Sequence, residues 1–152
     1  MNIINIKPLK KLSVSRSLFA NMEHSLTGST NFERSVRLAA ILAPVLRDSN
    51  ANERHLSTIN AQETSVQEKI IAIIMLGFPD NRPALPTLKK ICLEGSGSLR
   101  MAAAIAISQM RDGHNNDLLS DILLSVFKPS DSPEVKKTLL KALHQLLAVR
   151  LS

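Results

Sequence analysis

Aromatic side chains are nearly missing from this chain of 152 residues: four Phe, no Trp and no Tyr. Without them there is no platform on which bases could stack, which removes the usual means of holding single-stranded nucleic acid. Cys92 is the only cysteine, so an internal disulfide and a multi-thiolate metal centre are both excluded. Five Gly and seven Pro are too few for the many tight turns of a sandwich or barrel. Long apolar runs are lacking too. The longest, residues 70–79, falls far short of the ~20 residues that a membrane-spanning helix needs.

Acidic residues are outnumbered by basic ones, 13 to 19, for a formal net charge of +6. The bases are spread out, and the densest group is Lys7, Lys10, Lys11 and Arg16. Such a balance gives some affinity for acidic partners without defining a site. Binding of nucleic acid is expected to be weak and nonspecific, through phosphate contacts of Lys89, Lys90, Lys136, Lys137 and Lys141. In a secretory signal the apolar stretch follows the positive residues, whereas here residues 1–6 precede the lysines. Together with the single free cysteine this reads as a cytoplasmic protein.

What the chain does have is apolar periodicity at helical spacing. Hydrophobic residues make up 44% and charged residues 21%, enough for a packed core. Val14, Leu18, Phe19, Met22 and Leu26 form one stripe, behind Ser13 as a cap. A helix is expected over 31–47, with Pro44 kinking or opening its backbone. Residues 48–63 are polar, with only a weak short helix expected around 53–59. Ser65 can cap a helix running to Leu76, with Gly77 as its stop. Further helices are expected from Pro83, over 99–110, over 117–127 and over 134–151, with 95–98 as a loop and Pro133 at a first helical position. Two of these segments are apolar on nearly every face, so they are buried on several sides. The expected core is Ile70, Ile73, Ile74, Ala103, Ala104, Ile107, Leu119, Ile122, Leu139 and Leu143.

The helices fall into a repeat. Val36-Arg37, Glu68-Lys69, Leu99-Arg100 and Val135-Lys136 open equivalent helices, at steps of 32, 31 and 36 residues. The second position is basic each time, and an aspartate follows at the turn in Asp48, Asp80 and Asp112. Two helices and two short turns fill such a period. Asp131-Ser132-Pro133-Glu134-Val135-Lys136-Lys137 resembles the inter-repeat loop and first helix of HEAT-like repeats of the short, phycobilin-lyase type, an armadillo-like family. Asp80 to Leu88 resembles that family's turn into its second helix. The resemblance covers residues 32–151, strongest over 66–146 and weakest over 48–63. It implies an all-α, short right-handed solenoid of helical hairpins over 31–152, preceded by a segment, 1–30, whose helix caps one end.

Stacked hairpins are binding surfaces more often than catalysts, and no residue set for chemistry stands out. His24, His55, His114 and His144 share no metal-ligand spacing, and His144 is expected to pack or to bond a nearby carbonyl. Cys92 lacks an activating partner and reads as a small core residue. The turn aspartates are expected to cap the helices that follow them. No enzyme activity and no cofactor are expected. The basic positions Arg37, Lys69, Arg100 and Lys136 are read chiefly as structural, pairing with acids such as Asp131 or Glu134. The expected role is that of an adaptor, chaperone-like factor or regulatory subunit, the alternative being a nucleic-acid-associated protein that binds the phosphate backbone nonspecifically through its basic surface. Its binding surface is expected on the last helix, at Lys136, Leu140, Lys141, Leu147 and Leu151, which meets another protein or a second copy. That helix stands without a partner helix before the chain stops at Ser152, and it carries more leucine than one buried stripe can take.

Overall fold

The computed structural model describes residues 31–46, 48–112 and 114–151, the side chains of 148–151 excepted. Among these residues every regular element is helical and no strand occurs. The chain divides after Met75 into two compact units. The first holds α1 (Asn31–Leu46), α2 (Ala51–Asn60) and α3 (Val66–Met75). The second holds a 3-10 turn at Arg82–Ala84, then α4 (Leu85–Glu94), α5 (Gly97–Gln109), α6 (Asn116–Ser125) and α7 (Pro133–Leu151). The capping helix expected over 14–26 lies outside the described residues. No described helix is long and apolar enough to cross a membrane.

In the first unit α3 packs against both α1 and α2. It begins with a capping box, in which the Glu68 N–H donates to Ser65 Oγ at 3.1 Å and the Ser65 N–H to Glu68 Oε1 at 3.4 Å. All six residues from Ile70 to Met75 are buried, as a helix apolar on every side requires. α1 continues through Pro44 to Leu46. The proline removes one intrahelical donor, but Ala40 and Pro44 are both exposed, so the freed carbonyl lies on the wet side. The region 48–63 carries more structure than its composition predicts. α2 is a full helix of 10 residues whose buried stripe is Ala51, His55 and Thr58. Two of those three are polar, so a count of hydrophobic residues misses the stripe.

In the second unit α5 packs against α4 and α7, and α6 against α7, while α5 touches α6 far less. The hairpins are therefore α4 with α5 and α6 with α7. Ala102, Ala103, Ala104 and Ala106 are wholly buried, which lets helix axes approach closely. The expected loop at 95–98 is shorter than that: α5 starts at Gly97, with Ser96 in extended backbone as its N-cap. α7 starts at Pro133, and Ser132 Oγ accepts the Val135 N–H at 3.3 Å. Of the expected core residues all are buried except Leu143, which is half-buried on the flank of α7.

Gly77 marks the closest approach in this unit. A Cβ placed there would lie 2.3 Å from the carbonyl oxygen of Ala106 and 2.6 Å from its Cα. Those atoms belong to the backbone of α5 and cannot rotate away. Gly77→Ala should therefore lower stability by about 2 kcal/mol or more, as overpacking does, seen as a drop in the urea midpoint. An unchanged midpoint would show that the two backbones do not meet.

Candidate functional site

The four basic repeat positions do not share one environment. Arg37 and Lys136 are exposed, Lys69 is half-buried, and Arg100 is buried. Arg100 pairs with Asp131, their side chains only 6% and 4% exposed. Its Nη1 bonds Asp131 Oδ1 and its Nη2 bonds Asp131 Oδ2 at 3.1 Å. Nε donates to the Cys92 carbonyl at 2.7 Å and Nη2 to the Val126 carbonyl at 2.8 Å. The expected structural pairing with Asp131 is thus in place at Arg100. The guanidinium and the Lys128 N–H hold the Asp131 carboxyl below the usual carboxylate range.

A second arginine does similar work where no basic position was expected. Arg54 Nη1 lies 3.0 Å from each carboxylate oxygen of Asp48, and its Nη2 donates to the carbonyl of Leu46, the last residue of α1. The Asp48 and Asp112 side chains bond N–H groups of their own loops. Asp48 accepts the Asn50 N–H at 3.0 Å, and Asp112 accepts those of His114 and Asn115 at 2.9 and 3.0 Å. Those two N–H groups pull the Asp112 carboxyl below its ordinary range. The N-cap positions themselves are Asn50 and Asn115, neither of which caps through its side chain.

Nucleophilic and metal chemistry find no constellation here. Cys92 is fully buried, and burial pushes its thiol up to about 11, so it stays protonated. Among the described residues no three His, Cys, Asp or Glu converge as metal ligands. His114 is exposed. His144 is exposed as well, contrary to its expected packing, because the flank of α7 that carries it is open. His55 is buried beside a shallow depression lined by Leu46, Arg54, Thr58, Glu68 and Ile71. That depression has room for about one water molecule, far too little for a substrate.

A surface feature emerges when equivalent first helices are aligned by the repeat. Positions two, six and ten of the frame fall on one stripe, four residues apart. In α5 they are Arg100, Ala104 and Ser108, at 5%, 0% and 1% exposure. Ser108 Oγ lies 3.2 Å from Gln145 Oε1 on α7, and Arg100 reaches the loop just before α7, so this stripe is an interface. In α7, 36 residues further on, the same positions are Lys136, Leu140 and His144, all exposed, with Leu140 at 56%. Leu147 continues the stripe at 37%. Lys137 and Lys141 flank it, exposed. Leu151 closes α7, and its side chain lies outside the described residues. The stripe is also open on α1, at Arg37, Ile41 and Val45, and buried on α3 at Ile73.

No protein-family model, curated protein or solved structure matches the chain.

Removing one member of the buried pair leaves the other charged and without its counter-ion. Asp131→Asn should cost about 3–5 kcal/mol, whereas Lys136→Gln, at the equivalent exposed position, should cost less than about 0.5 kcal/mol. Chemical denaturation of the two variants checks both, and equal effects would show that the positions are not distinct. His55 supplies a pH dependence. Burial first, then the charge of Arg54, lower its pKa to about 4 from 6.5. Below 6.5 the unfolded chain takes up a proton that the folded chain refuses, so stability is full above that pH and falls as pH drops toward 4. The loss at this one residue is roughly 3 kcal/mol. His55→Gln should flatten the slope over that window; a slope equal to the parent's would place the acid sensitivity elsewhere.

Proposed function

We propose that the chain is a non-enzymatic protein-binding module, an adaptor, chaperone-like factor or regulatory subunit, built as a short right-handed solenoid of HEAT-like hairpins. In this reading the outer face of α7 is its binding surface. One observation carries it: the stripe that serves as an interface on α5 is exposed on α7, with leucine where α5 has alanine. Within the first unit the stripe is open on α1 and closed on α3, and within the second it is closed on α5 and open on α7. The packing of first helix on first helix, α1 with α3 and α5 with α7, supports it in each unit separately.

The chemistry of the face favours a protein over nucleic acid. Three lysines alone would suit a phosphate backbone. Leu140 and Leu147 in the middle of them suit an apolar contact with a polar rim, the usual anatomy of a protein interface. Photocrosslinking in the native host tests this. A photoreactive residue placed at 140 or 147 should yield a discrete protein adduct, and the same residue at exposed Glu53 on α2 should yield none. The reading fails if neither position on α7 captures a protein, or if position 53 captures the same one.

A further inference from the structure

α6 leaves a face uncovered as well, and its chemistry is the reverse of that on α7. Its buried side is Leu119, Ser120, Ile122 and Leu123, which packs toward α7. Its outer arc carries Leu118 and Leu124, 45% and 56% exposed, with exposed Asp117 and Asp121 between them. α6 has no basic residue, and on α7 Glu134 is the single acid against Lys136, Lys137, Lys141 and Arg150. The outer faces of these neighbouring helices are thus both leucine-bearing and oppositely charged. They cannot cover each other within one chain, because α6 and α7 already pack through their buried sides.

We infer that the occupant of the outer face of α7 is a second copy of this chain, which presents the outer face of α6. The inference rests on the reading of α7 as a protein-binding surface and names its partner. Pairing Asp121 of one copy with Lys137 and Lys141 of the other sets opposite charges together at the rim. The exposed leucines of both faces then leave water in the same contact. Two copies each with itself, α7 against α7, would instead bring the lysines face to face, and like charges so placed oppose association. The acid-and-leucine face of α6 is the complement of the lysine-and-leucine face of α7 that this chain itself supplies.

A charge exchange tests the contact with the full-length protein, read by sedimentation equilibrium at low and physiological salt. The parent should self-associate. Asp121→Lys alone, and the double variant Lys137→Glu with Lys141→Glu alone, should each weaken association at least about tenfold, since each places like charges across the contact. Mixing those two proteins should restore it, because each then meets its opposite charge in the other. Leu140→Ser, which alters no charge, should weaken association as well. All sites are exposed, so thermal melts should match the parent. A parent that stays monomeric, or a mixture that fails to associate, overturns the inference. A heteromeric adduct from positions 140 and 147 would, with a monomeric parent, leave α7 a binding surface for another protein. No adduct at all would remove the broader reading too.

Discussion

One buried guanidinium sets the geometry of the second unit. Taking Arg100 and Asp131 out of water costs several kcal/mol per ion, and the pair is tolerable only if every remaining donor is used. The surroundings meet that demand with carbonyls rather than more charge. Cys92 lies in the last turn of α4 and Val126 follows α6, so both carbonyls are among those a helix end leaves without an intrahelical donor. A single side chain on α5 therefore satisfies the ends of two helices and the loop that launches a third. Lysine could not take its place, because a point charge lacks the planar fork that reaches carboxylate and carbonyls together. In the first unit Arg54 joins the end of α1 to Asp48 in the same manner, at a shallower site where Asp48 keeps 35% of its side-chain exposure.

Fixing helix ends at short range constrains what can lie between them. With its first turn tied to three neighbouring segments, α5 has no freedom to stand off, and its middle must be small. Its alanines meet that requirement, and Gly77 meets it where backbone rests against Ala106. α7 is under no such constraint along its outer flank. The position equivalent to Ala104 there is Leu140. In the second unit the closed flank of α5 thus carries alanine where the open flank of α7 carries leucine.

Much of the fold was legible before any coordinates, and what was missed has a physical cause. The helices at 66–75, 97–109 and 133–151 are rich in apolar residues, with start signals at Ser65 and Pro133, and they were readable within a few residues at each end. α2 was the weak point because its inward stripe uses His55 and Thr58, whose burial depends on partners such as the Arg54 carbonyl that accepts from Thr58 Oγ1. Periodicity counts residue types and cannot see a hydrogen bond. The basic repeat position was visible as a pattern, but its four members were not separable. Burial of Arg100 depends on Asp131, 31 residues away, and on two carbonyls that any residue could supply. Arg54 gave no signal in sequence, since it stands outside the repeat frame. The stripe on α7 was legible as surplus leucine; that α6 exposes an opposing acidic face was not, because an amphipathic helix looks the same from sequence whichever side its neighbours take.

Apolar residues remain on the exposed flanks of α1 and α7, where polar ones would add solubility. α7 goes only part of the way, with Lys136 and His144 polar but Leu140 and Leu147 apolar, and α1 is similar, with Arg37 polar but Ile41 and Val45 exposed at 46% and 69%. Exposure separates the flanks at both positions: Arg37 and Lys136 are exposed where Lys69 is half-buried and Arg100 buried, and Ile41 and Leu140 are exposed where Ile73 and Ala104 are fully buried. Exposed aliphatic residues that are aligned on a stripe and ringed by charge have the composition of a contact surface, whereas a solvated cap would be polar throughout. In the proposed reading Leu140 and Leu147 are the apolar centre of the contact on α7, and the lysines around them are its rim.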